Sequence, residues 1–209
     1  MLKRAWRQYG GILPLVVAFV LSGMLNVFYN KTLSSTRDRV QHSFEVNDAL
    51  NRLEKSLLDI ETGQRGFVIT GDGAYLEPYE RGENDVLQAS AKLQTLITDN
   101  GSQTDLLKRE LILISDKRKE LSDVIDVRRA SGFEAAQKLI VSNFGKTTMD
   151  EIRLVMSTMR TQEATLLSAR LDSLKGTEGN VLYVAVISIL LALIARLVAM
   201  YVERRAAKT

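Results

Sequence analysis

The chain has 209 residues, 45% of them hydrophobic and 25% charged, with a net charge of +3, two prolines and no cysteine. The lack of cysteine excludes a disulfide framework and thiolate chemistry, and the single histidine, His42, has no second imidazole with which to share a metal ion. The charge excess lies entirely at the two ends of the chain, which argues for a membrane surface and against nucleic acid.

Residues 8–30 form an uncharged run of 23 between Arg7 and Lys31. A second uncharged run of 17 lies between Glu178 and Arg196 and resumes over 197–202. Each is long enough to cross ~30 Å of hydrocarbon as a helix. Lys3, Arg4 and Arg7 precede the first run as they would in a signal peptide. Its apolar stretch, 12–28, is longer than the usual signal core and no A-x-A site follows, so an uncleaved anchor is expected. The outer ends carry Lys3, Arg4, Arg7, Arg196, Arg204, Arg205 and Lys208 against Glu203 alone, whereas residues 30–180 carry a balance of −3. By the bias of basic residues toward the cytoplasm, both termini face inward and the middle faces out. The expected layout is a cytoplasmic N-terminus at 1–9, a transmembrane helix at 10–29, an extracytoplasmic helical domain at 30–178, a second transmembrane helix at 179–202 and a cytoplasmic tail at 203–209. Pro14 is tolerated near the start of a span, and Arg196 reaches the headgroups with its long side chain.

The expected fold class is all-α: an extracytoplasmic four-helix bundle flanked by two transmembrane helices. Apolar residues three and four apart define its four seams. They run through Val46, Leu50, Leu53, Leu57 and Ile60; through Leu76, Tyr79, Val86, Leu93 and Ile97; through Leu107, Leu111, Ile114, Leu121 and Ile125; and through Met149, Ile152, Met156, Met159 and Leu166. Turn signals fall at Gly71-Asp72-Gly73, at Asp99-Asn100-Gly101-Ser102, at Ser131-Gly132 before a short helical piece over 133–141, and at Asn143-Phe144-Gly145. Gly176 and Gly179 predict a hinge or, as the favoured reading, a simple break at the membrane surface between the fourth helix and the second span. The first helix follows its span so closely that one continuous helix is expected.

No catalytic group stands out, and the chain reads as a non-enzyme. His42 is expected to be solvated or packed. Arg118, Arg128, Glu163 and Arg170 interrupt the seams, either as interhelical ion pairs or the lining of a polar cavity or, as the favoured reading, as solvated stems covering the core. The densest local signal is Asp59-Ile60-Glu61-Thr62-Gly63-Gln64-Arg65-Gly66-Phe67-Val68-Ile69-Thr70-Gly71. Gly63 and Gly66 permit close backbone approach. Arg65 is spaced either to pair with Glu61 one turn earlier and fix the turn, or to face a ligand. No strand precedes these glycines and the G-x-x-x-x-G-K-[ST] pattern is absent, so they are not a phosphate loop.

This segment, followed by Tyr75-Leu76-Glu77-Pro78-Tyr79, resembles the type-three CHASE domain. The resemblance continues through Leu96-Ile97-Thr98-Asp99-Asn100 and Gln103, Arg128-Arg129 before Gly132 with Ala135-Ala136, and Gly145-Lys146 with Met149-Asp150-Glu151-Ile152-Arg153, over residues 36–172. It implies an extracytoplasmic sensory module of a bacterial inner-membrane receptor, of the kind that feeds histidine kinases or cyclases. Glu61, Thr62, Gly63, Gln64, Arg65, Gly66, Thr70, Tyr75, Tyr79, Arg128, Arg129, Asp150 and Arg153 are its candidate sensing or structural residues. No HAMP, kinase, cyclase or PAS segment follows the second span, so the expected output is a partner or the remainder of a longer receptor. The expected partners are the lipid bilayer, a cytoplasmic or membrane signalling protein and a second copy of the chain. No cofactor is expected, and the residues name no ligand. The competing reading is a scaffold that docks another envelope protein and senses nothing.

Overall fold

A computed structural model describes residues 13–98 and 100–206 of the chain. The expected cytoplasmic N-terminus 1–9, residues 10–12 of the first span, Asp99 and the last three residues lie outside the described residues, and with them Lys3, Arg4, Arg7 and Lys208. All regular structure among the described residues is helical: α1, Leu13–Thr70; a 3-10 turn, Gly73–Leu76; α2, Glu77–Leu96; α3, Gly101–Ser131; α4, Phe133–Val141; and α5, Phe144–Ala206.

The ends of these helices follow from local chemistry. Gly71 stops α1 at φ +76°, a left-handed conformation that costs a side chain with a Cβ about 1–2 kcal/mol. The Asp72 carboxylate then accepts from the Ala74 amide at 2.9 Å to start the 3-10 turn, and Pro78 occupies the first turn of α2, where no amide donor is needed. Asn100 caps α3, its side-chain oxygen accepting from the Gln103 amide at 3.3 Å. Asn143, at φ +65°, turns the chain into α5.

Two compact units make up the chain: Gln41–Leu167, and the remainder, described here over 13–40 and 168–206. In Gln41–Leu167 one core joins four helices. Val46, Leu50, Leu53, Leu57 and Ile60 of α1 meet Val86, Ala89 and Leu93 of α2, Leu107, Ile114 and Leu121 of α3, and Met149, Ile152, Met156 and Met159 of α5. Each fully buried Leu, Ile or Met contributes roughly 1.5–3 kcal/mol by leaving water. The short α4 closes one end, with Ala136 packed on Val68 and Val124. The outward residues of α4 mix Glu134, Gln137 and Lys138 with the exposed apolar side chains of Phe133, Leu139, Ile140 and Val141, and Phe144 beside them is exposed as well.

Three expectations are corrected. The break at Gly176 and Gly179 does not occur, because α5 runs unbroken from Phe144 to Ala206. Two separated glycines cost only ~1 kcal/mol each within a helix, too little to end one with long helical sequence on both sides. In the α3 seam Leu107, Ile114, Leu121 and Ile125 are buried as expected, whereas Leu111 is only half-buried and the charged Glu110 and Lys117, at 0% and 3% exposure, are buried with them. Arg118, Arg128 and Glu163 are not solvated stems. Arg118 of α3 pairs with Glu83 of α2, its Nε donating at 2.8 Å; Arg128 donates to the Val68 carbonyl at 2.8 Å; and buried Glu163 accepts from the Ser43 hydroxyl at 2.6 Å.

In the other unit, Tyr183–Val202 is long and apolar enough to cross a membrane, with a mean hydropathy of 2.4 and none of it buried. In the α1 part of this unit Phe19, Leu21, Met24, Val27 and Phe28 are also exposed.

Candidate functional site

The signature segment occupies the last turns of α1, and its two faces serve different ends. One face packs on α2. A Cβ on Gly63 would lie 2.8 Å from the Tyr79 amide nitrogen and 3.0 Å from the Tyr75 carbonyl oxygen, and one on Gly66 would lie 2.5 Å from the Tyr75 ring. Only glycine lets the two backbones approach this closely. Tyr79 is half-buried between the helices, and its hydroxyl is held protonated above the usual tyrosine range by burial and by the charge of Glu83. Thr70 finishes the helix locally, donating to the Gly66 carbonyl at 2.8 Å and accepting from the Asp72 amide at 3.1 Å.

The other face is ionic. Glu61 is buried, and its Oε1 lies 2.6 Å from the exposed Arg65 guanidinium and 3.9 Å from Lys117 Nζ. Lys117 itself reaches Glu120 at 2.9 Å and donates to the Gly145 carbonyl at 3.2 Å. A buried lysine is thus held between two carboxylates at the point where α1, α3 and the start of α5 meet. Removing one member of such a group strands the others without water, at a cost of about 3–5 kcal/mol.

Above this network α1 and α5 enclose a groove of about 270 Å³, lined by Leu58, Glu61, Thr62, Arg65, Lys146, Met149, Asp150 and Arg153. Asp150 bridges Lys146 at 2.6 Å and Arg153 at 3.3 Å, and the Lys146 hydrogen bond foremost holds its carboxyl below the usual range. Five of the residues singled out from the sequence, Glu61, Thr62, Arg65, Asp150 and Arg153, come together here from segments some ninety positions apart. A larger groove of about 660 Å³ between α1 and α2 contains none of them. Its charges cancel, Glu45, Asp48 and Asp85 against Arg52, Lys55 and Lys92.

The remaining candidates lie elsewhere. Gln64 is buried with its Nε2 unpartnered. Arg128 lies against Gly71 and holds the end of α1 through the Val68 carbonyl. Arg129 stacks over Phe67 at 5.7 Å from the ring centre and pairs with Asp126 at 3.6 Å. Sequence reasoning missed Lys146, Lys117 and Glu120 as members of the site. Lys146 stands four residues before Asp150, a spacing that signals an ion pair on a helix. Nothing in the pattern distinguished the buried Lys117 from the solvated lysine two positions on.

Glu110 was missed as well. It is fully buried in the bundle with neither carboxylate oxygen hydrogen-bonded, and burial pushes its carboxyl up to about 8 against a weak opposing pull from Arg109.

A family model described as "CHASE3 domain" matches residues 36–173. Among solved structures the chain is similar to the sensor domain of histidine kinase HK9 from Rhodopseudomonas palustris, at 20% identity and a TM-score of 0.56, over 59% of this chain and 97% of that one. This likeness is one of fold. No curated protein matches the chain. With the family model covering more than half of its length, the protein belongs to the CHASE3 domain family.

Proposed function

We propose that this protein is a membrane-anchored sensory input module rather than an enzyme. In this reading the domain over 30–178 lies outside the inner membrane, residues 10–29 and 179–202 span the bilayer, and both termini face the cytoplasm. The output belongs to a partner or to a cytoplasmic continuation of a sensor kinase or cyclase. The observation that carries it is a CHASE3 domain at 36–173 with helical apolar sequence on either side. The function follows from the arrangement. A stimulus that binds one packing of the bundle more tightly than another shifts the balance between them, and helices that continue into apolar sequence are a route by which the shift leaves the domain. Charged groups buried between three helices give the bundle a set of pairings that can be exchanged. A homodimer would supply the symmetric output that kinases and cyclases need.

The absence of native cysteine makes the topology directly testable. In intact cells, a membrane-impermeant maleimide is expected to label Gln88→Cys after the outer barrier is opened, and Arg204→Cys only after the inner membrane is lysed. Equal labelling of both at the first stage removes the anchored reading. For sensing, a chimera joining residues 1–206 to a histidine-kinase core is expected to change its autophosphorylation rate on Glu61→Gln substitution. An unchanged rate counts against coupling. The exposed apolar face of Phe133, Leu139, Ile140, Val141 and Phe144 favours a second reading, a scaffold that docks an envelope protein. Co-purification with one partner regardless of stimulus, and no effect on a kinase core, would select it.

A further inference from the structure

We propose that the groove between α1 and α5 binds a small organic monocarboxylate, with Arg65 and Arg153 holding the carboxylate and Leu58 and Met149 facing the apolar body. This names the ligand class of the sensory site and rests on that reading. The charge count comes first. The groove and the network beneath it hold four cations, Arg65, Lys117, Lys146 and Arg153, against three carboxylates, Glu61, Glu120 and Asp150. One positive charge is left over, which a monoanion neutralises and a dianion oversteps. Guanidinium groups from two different helices line the groove, and their planar forks match a carboxylate. Leu58 exposes 40% of its surface beside them, and Met149 lies at the floor, so the charged end of a ligand has apolar surface next to it. A volume of about 270 Å³ lies below the ~300–1,000 Å³ range of sites for drug-sized molecules, which restricts the occupant to a small acid.

Occupancy also has an internal consequence. Arg65 is exposed and free to swing toward a ligand, whereas Glu61 is buried and stays. When Arg65 turns to the ligand, Glu61 depends on Lys117, now 3.9 Å away, and Lys117 also holds Glu120 and the first turn of α5. Binding at the rim therefore redistributes the pairings that join α1, α3 and α5.

The test is calorimetric titration of the full chain in lipid nanodiscs with sodium benzoate and sodium isobutyrate, against sodium chloride at equal ionic strength. Saturable heat is expected for the two carboxylates and not for chloride. Arg153→Ala and Arg65→Ala should each weaken binding about tenfold or more, with Lys108→Ala unchanged. Among the described residues Arg153 is bonded to the exposed Asp150, so its variant keeps the fold even where Arg65→Ala does not. Carboxylates that behave as chloride does, binding that Arg153→Ala leaves intact, or inorganic phosphate binding in place of benzoate would each overturn the proposal. The two readings fail separately. Benzoate binding with no response in the kinase chimera counts against sensing and leaves the site standing, whereas a chimera that responds to Glu61→Gln but a chain that ignores carboxylates removes this ligand class alone.

Discussion

Glu110 makes the stability of the bundle depend on pH in a direction opposite to that of most acidic residues. Its carboxyl titrates at about 8 in the folded chain against an ordinary 4.5, so between these values the unfolded chain releases a proton that the folded chain keeps. The unfolded state then binds fewer protons, and stability falls as pH rises through the window. At ~1.36 kcal/mol per unit the loss at pH 7 is roughly 3 kcal/mol, and above pH 8 it levels off at roughly 5 kcal/mol. Below pH 4.5 both states are protonated and the penalty vanishes. The perturbation is Glu110→Gln, which keeps the shape and cannot ionise, with Glu110→Leu to remove the unpaired polar atoms as well. The assay is urea unfolding of the full chain in detergent micelles, followed by circular dichroism at half-unit steps from pH 4.5 to 9. The difference in stability between Glu110→Gln and the parent should grow steadily from pH 4.5 to about 8 and then stay constant, and Glu110→Leu should be the more stable chain at pH 7. Parallel stability curves for parent and Gln variant across the window would refute the reasoning, because a carboxylate that ionises normally contributes no slope there.

Other outcomes follow from the packing. Lys117→Met should cost about 3–5 kcal/mol by stranding Glu61 and Glu120, read as a shift in the urea midpoint with unchanged slope. Gly63→Ala should cost about 1–3 kcal/mol and exceed Gly66→Ala, since the first new methyl meets backbone atoms and the second meets a tyrosine ring able to move. Gly71→Ala should cost about 1–2 kcal/mol from its positive φ, with a further loss because the methyl would lie 2.7 Å from Arg128 Nη2. Thermal unfolding of these three glycine variants beside the parent gives both comparisons.

Much of the fold was legible in the sequence. Gly71 and Gly132 end their helices, and Asn100 and Asn143 open the next ones, where the turn chemistry places them, and the α1 seam from Val46 to Ile60 is completely buried. The phase of α3 was legible through Leu107, Ile114, Leu121 and Ile125, and only Leu111 departs, inside the run Leu111-Ile112-Leu113-Ile114 that is apolar on every side. The long stems of Glu110 and Lys117 then occupy core positions that a carboxylate and an ammonium ordinarily avoid. For the groove, the sequence supplied five residues and no way to join them. Glu61 and Asp150 become neighbours only when antiparallel helices are brought side by side, and the partners of Arg118 and Glu163 lie 35 and 120 positions away.

The glycine contact between α1 and α2 divides the mechanical labour of the bundle. Where backbone rests on backbone, sliding one helix by a single residue drives a Cβ into a carbonyl, so this pair is locked in one register. Between α1 and α5 the groove is lined by arginine and lysine side chains that pair within their own helices and whose flexible stems can change partner as the helices slide. Shear within the bundle is therefore directed to the α1–α5 seam, with α1 and α2 moving as one body.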